Sequence, residues 1–245
     1  MKINVGLQIY TVRDMFDKGL DFLFGEAAAL GYKGIEMISM DMPNEELKGL
    51  LDKHGLTLIS THRGAEELEK NFASNVEYCK YLGTNKITIP GLPGDWTKDY
   101  ASSLATAQRL DALAIAYAAE GIELSYHNHS HEFELVYDGI CVEDIFVENA
   151  PNLKFELDMG WAFAAGVDVP AYIRKLGKKL HLVHIKDVDA DKKPTEVGNG
   201  CVNMKECIEA AEEVGVKWGV VEQDICVGRT PLEAIAITME TLKTF

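Results

Sequence analysis

Paired cysteine spacing, long apolar runs, linker tracts and an excess of positive charge are all missing from this 245-residue chain. Its five cysteines (Cys79, Cys141, Cys201, Cys207 and Cys226) are odd in number and lack metal-type spacing, so they read as scattered thiols of a reducing compartment. No apolar run is long enough to cross a bilayer, and the opening Met-Lys-Ile-Asn-Val-Gly-Leu-Gln enters a strand at once, without an apolar signal segment. A cytoplasmic location is the expectation. The formal charge of −15 would repel a nucleic-acid backbone or an anionic membrane, so neither is the expected partner. No Pro/Ser-rich stretch divides the chain, and one domain over residues 1–245 is expected. No glycine-rich phosphate loop stands out, which argues against an obligately phosphorylated substrate. Arg13, Arg63, Lys86 and Arg229 are nevertheless the cations that could reach a phosphate.

What the chain does have is a repeated unit. Apolar strands alternate with helical patterns at a spacing of roughly 25–35 residues, the mark of βα units. Strands are expected near residues 3–9, 34–38, 57–61, 86–90, 122–127, 153–157, 180–186 and 217–223. Asn44 is expected to cap a helix carrying Leu47, Leu50 and Leu51 that ends at His54-Gly55. Thr230-Pro231 marks another helix start, and residues 98–120 the longest helix. Gly31, Gly83, Gly121, Gly177 and Gly215 fall where helices must stop.

Alternation along each strand sorts side chains into two sets. Leu124 and Tyr126, Phe155 and Leu157, and Val183 and Ile185 face helices. Gln8 and Tyr10, Glu36, Ser60 and His62, Ser125 and His127, Glu156 and Asp158, His184 and Lys186, and Glu222 and Asp224 face inward. A doubly wound open sheet would be apolar on both faces. The pattern therefore predicts an α/β fold, a closed (β/α)8 TIM barrel whose polar strand ends converge on one mouth.

Asp158, His184 and Glu222 end three successive strands. One imidazole and two carboxylates are ordinary ligands for Mn²⁺, Mg²⁺, Co²⁺ or Zn²⁺. His127 is the expected fourth ligand, with His129 as the alternative. In Tyr126-His-Asn-His-Ser-His131-Glu-Phe, His131 has the weakest case and Glu132 could orient an imidazole from behind. Lys186 either stabilises an oxyanion or pairs with Asp158 or Glu222. Trp161 either stacks on a sugar ring or is a core aromatic. Gln8, Tyr10, Glu36, His62, Asn128 and Trp161 are the expected substrate contacts. Trp96 and the Pro90-Gly-Leu-Pro-Gly94 turn form either a lid or a rigid loop.

Val5-Gly-Leu-Gln-Ile-Tyr10-Thr-Val-Arg13, Tyr126-His-Asn-His, Leu157-Asp-Met-Gly-Trp161, Val183-His-Ile-Lys-Asp187, Val197-Gly-Asn-Gly200 and Val221-Glu-Gln-Asp224 together resemble the xylose isomerase-like TIM-barrel family of sugar phosphate isomerases/epimerases, in its YHNH-type members. That family also includes inosose dehydratases, ketose 3-epimerases, hydroxypyruvate isomerases and endonuclease IV. The resemblance runs over essentially the whole chain. It implies a divalent metal on Asp158, His184 and Glu222, a small carbohydrate substrate, and pairing into dimers or tetramers. Ser125 stands where epimerases of the family carry a fifth-strand glutamate ligand, and His127 is expected to replace it. Gly198-Asn-Gly200 stands where Gly-Glu-Gly is frequent.

The leading expectation is a metal-dependent isomerase or epimerase working through an enediolate. Glu222 would serve as base, and His127, Glu132 or Lys186 would return the proton. The alternatives are a β-eliminating lyase of the inosose-dehydratase kind, an endonuclease IV-like phosphodiesterase, and a degenerate sugar-binding barrel.

Overall fold

The apolar–polar alternation of the chain resolves into eight parallel strands in a computed structural model that describes residues 1–245. They are β1 (Asn4–Gln8), β2 (Gly34–Ile38), β3 (Thr57–His62), β4 (Lys86–Ile89), β5 (Glu123–His127), β6 (Lys154–Asp158), β7 (Leu180–Ile185) and β8 (Trp218–Val221). All eight expected strands are present. Neighbours pair in chain order, and β8 closes on β1 with Val5 opposite Gly219 and Leu7 opposite Val221. The barrel is thus closed, and no strand edge is left open.

A helix follows each strand: α1 (Leu20–Leu30), α2 (Asn44–His54), α3 (Phe72–Leu82), α4 (Tyr100–Ala119), α5 (Val142–Asn149), α6 (Val169–Leu176), α7 (Met204–Val214) and α8 (Pro231–Leu242). At α8 the Thr230 hydroxyl accepts the Glu233 N–H while the Glu233 carboxylate accepts the Thr230 N–H, so both ends of the first turn are satisfied. Gly31, Gly83 and Gly215 stop α1, α3 and α7 in the left-handed conformation. One expectation needs correction: Asn44 is the first residue inside α2, and Pro43 occupies the cap position without a side-chain hydrogen bond.

The main core lies between strands and helices, where Leu7, Ile35, Leu124, Phe155, Val183 and Ile185 are fully buried. A second, small cluster of Ile59, Leu182 and Val220 fills the barrel's interior. Strict alternation would send Ile59 to the helices, but a register shift makes it an extra residue, since Ile35 pairs with Leu58 and Glu36 with Ser60. Ile59 turns inward because Gly6 and Gly34 leave room for it. A Cβ on Gly34 would lie 2.7 Å from Ile59 Cγ1 and 2.7 Å from the Thr57 carbonyl. Towards the C-terminal strand ends the interior turns polar, first through the buried hydroxyls of Ser60, Thr88 and Ser125 at 3.1 and 2.8 Å. Ser125 is therefore committed to its neighbouring strand.

Outside the barrel strands, a buried carboxyl has no positive partner. Glu143 on α5 is 1% exposed, and its Oε2 has no hydrogen-bond partner. Burial, then the nearby Glu132 and Asp144 carboxylates, raise its pKa well above the ordinary value. The folded chain therefore keeps a proton that the unfolded chain releases above about pH 4.3, and stability falls as pH rises beyond that point. Glu143→Gln is expected to leave stability at pH 4 unchanged and to raise it by roughly 1–2 kcal/mol at pH 8. Urea midpoints across that range check this; parallel pH profiles for the two proteins would refute it.

Candidate metal centre

The strand ends meet as their alternation requires. On the inner side, His184 Nε2 lies 2.7 Å from Glu36 Oε2, and Gln8 Nε2 donates to the same oxygen at 2.9 Å. His62 Nε2 lies 2.9 Å from Glu156 Oε2 and 3.2 Å from Glu36 Oε2. On the outer side, His184 Nδ1 lies 2.9 Å from Glu222 Oε2 and 3.8 Å from Asp158 Oδ2. His184 thus uses one ring nitrogen toward each side, and Glu36 fixes the orientation in which Nδ1 faces Asp158 and Glu222. Asp158 also caps the short helix that follows β6, accepting the Trp161 N–H at 2.8 Å.

His127, Asp158, His184 and Glu222 can each offer one ligand atom within 4.8 Å of the others. Two imidazoles and two carboxylates suit a borderline divalent cation. The His127 Nδ1 atom is buried without a hydrogen bond, and the buried Asp158 Oδ2 has only the Lys186 ammonium beside it. A cation would satisfy the first and could take the place of the ammonium at the second, so these residues fit the metal that the resemblance implies. Beside them lies the ammonium of Lys186, 1% exposed. Its Nζ lies 2.9 Å from Asp158 Oδ2, 3.0 Å from Glu222 Oε2 and 2.6 Å from Asp224 Oδ2. Gly160 admits the lysine stem, because a Cβ there would lie 2.7 Å from Lys186 Cγ.

The electrostatics follow from this packing. Burial opposes charge on Glu222, but Lys186 and His184 outweigh it and hold the carboxyl well below its usual range. Burial likewise opposes charge on Lys186, yet Asp158, Glu222 and Asp224 raise its pKa further. Burial pushes Asp158 up despite Lys186. His127 is driven well below the ordinary imidazole value by burial and by the neighbouring His184, so it is neutral. Burial disfavours the charged form of His62, but Glu36 and Glu156 prevail and raise it to about 10.

A cavity of about 440 Å³ opens over the cluster, lined by Tyr10, Ile38, Ser39, His62, Gly64, Pro90, His127, His129, Glu222 and Asp224. Of the expected substrate contacts, only Tyr10 and His62 border it. Gln8, Glu36 and Asn128 are fully buried beneath the mouth. Asn128 instead accepts the Asp158 N–H at 2.9 Å, tying the end of β5 to that of β6. Tyr10 reaches the cavity from the 3-10 helix Ile9–Lys18 rather than from β1. Trp161 is half-buried with its ring 4.7 Å from Lys186 Nζ, a packing role beside the cluster.

His129 borders the cavity but does not join the four-residue donor set. Glu132 accepts the Tyr126 hydroxyl at 2.5 Å and the His129 N–H at 2.8 Å, so it anchors the loop after β5 rather than facing the cavity. Lys86 opens β4 and therefore lies at the end opposite the mouth, where its ammonium approaches Glu123; it cannot serve as a phosphate contact there. Trp96 is fixed by Arg109 stacked 3.9 Å from its ring, which favours the rigid-loop reading.

Two residues have roles that alternation alone does not reveal. Glu156 faces inward and joins Glu36, His62 and His184 in a second buried group. Asp187 accepts the N–H groups of Val188, Gly198, Gly200 and Val202 at 2.9–3.2 Å, shaping the loop after β7. The glycine-rich segment 198–200 was the available signal for Asp187; Glu156 had none beyond its parity.

A closed (β/α)8 barrel with imidazoles and carboxylates gathered at the C-terminal strand ends defines a barrel of the enzyme type, its chemistry placed at the mouth. The chain belongs to the xylose isomerase-like TIM barrel family, whose model matches residues 24–244. It is 24% identical over 220 residues to an inosose dehydratase of Mesomycoplasma hyopneumoniae, covering 78% of this chain and 71% of that protein. A sugar phosphate isomerase/epimerase from Parabacteroides distasonis superposes with a TM-score of 0.88 at 20% identity, over 99% of this chain and 98% of the other. The IOLI protein, solved with a bound zinc atom, superposes with a TM-score of 0.76 at 19% identity, over 99% and 97% of the two chains.

Proposed function

We propose that this protein is a divalent-metal-dependent isomerase or epimerase acting on a keto-sugar or related polyol through an enediolate. The observation that carries the reading is Glu222, an ionised carboxylate that borders the cavity while belonging to the donor set of His127, Asp158 and His184. The cavity volume lies in the range that holds small organic ligands. A divalent cation held by these four residues would supply Lewis-acid polarisation of a carbonyl. Glu222 takes the proton from the carbon beside that carbonyl. The Lys186 ammonium stabilises the negative charge that develops on oxygen. His127, neutral and facing the cavity, returns a proton from its ring N–H, and the proton held by Glu222 then passes back to that ring. Glu132 acts at one remove by holding His129 in place.

A second reading, β-elimination, is favoured by the similarity to an inosose dehydratase. A mass-resolved screen of keto-sugars and inososes in D₂O separates the two. The isomerase reading expects product of unchanged composition with one deuterium incorporated at carbon. Loss of one water establishes the lyase instead, and no turnover of any member with metal-loaded protein overturns both.

A further inference from the structure

The sequence Tyr126-His-Asn-His-Ser-His131-Glu-Phe carries three histidines, and the inner donor set takes only His127. The other two meet again at the rim. His129, His131 and Glu132 can each present one ligand atom within 4.8 Å of the others. The His129 Nδ1 is buried and has no hydrogen-bond partner. His131 Nε2 lies 2.9 Å from Glu132 Oε1, and the two histidine rings stack at 5.7 Å with planes 21° apart. Glu132 is 1% exposed, whereas the His131 side chain is 53% exposed.

We propose that His129, His131 and Glu132 form a second cation site at the rim of the mouth, separate from the inner donor set. An imidazole-rich set with one carboxylate selects a borderline ion such as Zn²⁺, Co²⁺ or Ni²⁺ over Mg²⁺. The carboxylate is pre-oriented. The Tyr126 hydroxyl and the His129 N–H both donate to Glu132, the kind of outer support that fixes a ligating group. Three protein ligands leave coordination positions for water or for a hydroxyl of a bound molecule. His129 borders the cavity, and its ring lies 5.1 Å from that of His127, so a rim ion would neighbour whatever the cavity holds. The proposal does not depend on the isomerase reading.

The test is metal stoichiometry of untagged, chelator-stripped protein re-equilibrated with Zn²⁺, with affinities from chelator competition. The parent is expected to hold two equivalents. His131→Ala and His131→Lys are each expected to hold one, the lysine variant keeping a positive partner for Glu132 while losing the ligand. Asp158→Asn is expected to keep the rim equivalent. Unchanged stoichiometry and affinity in His131→Lys would overturn the proposal. A single parental equivalent lost only in Asp158→Asn would overturn the rim site and leave the inner centre standing. A single equivalent lost only on changing His131 would do the reverse. A parent that holds no zinc would sink both.

Discussion

Replacing Glu222 with glutamine is expected to lower kcat by about 10²–10⁴-fold while leaving KM and metal content near those of the parent. Glutamine keeps an oxygen donor of the same reach, so the donor set of His127, Asp158, His184 and Glu222 loses a charge but no ligand position. What it cannot do is accept a proton. Burial opposes the charge on Glu222, and Lys186 and His184 sustain it, so the parent carboxylate is ionised and ready to act as a base at neutral pH. Steady-state kinetics with elemental analysis of the same sample decides the matter. A variant with parental kcat disproves the base assignment. One that loses metal in step with activity assigns Glu222 to ligation alone.

Lys186→Met should show its largest effect without any substrate. The ammonium is buried among Asp158, Glu222 and Asp224, all within 3.0 Å, and no other lysine or arginine pairs with Asp158 or Glu222. Removing one partner of such a buried group while leaving the others charged typically costs about 3–5 kcal/mol. Methionine matches the lysine stem under Trp161 and Gly160, so the loss is one of charge rather than of shape. A divalent cation on Asp158 and Glu222 would replace the missing charge. Saturating Mn²⁺ is therefore expected to restore much of the stability of the variant and to stabilise the parent less, because in the parent the ammonium competes for the same oxygens. Urea unfolding of both proteins with and without Mn²⁺ measures this. Equal stabilisation of parent and variant would show that Lys186 and the cation do not share ligands.

Much of this site was legible because a strand imposes a period of two. Once the eight strands were located, alternation alone put Glu36, His62, His127, Asp158, His184 and Glu222 on one side of the sheet. Closure of the barrel brings that side together. The same rule fails where the register slips. Ile59 is an extra residue in β3 and turns inward, which no count along the sequence reveals, and only Gly6 and Gly34 across the interior make room for it. Alternation also cannot say how deep an inward residue sits. Gln8, Glu36 and Asn128 were expected to touch substrate, yet they lie fully buried and hold other groups.

The repeated βα unit, the closed barrel and the identity of the inward polar residues are written into the chain locally, because hydrophobic periodicity and helix caps are properties of short segments. Which of those residues meet follows only from the folded barrel. His184 divides its two ring nitrogens between Glu36 and Glu222, from strands 148 and 38 residues away, and Lys186 occupies the carboxylates that a metal would take. Such pairings depend on barrel closure, side-chain reach and the balance of burial against charge. These are long-range quantities that no local pattern encodes.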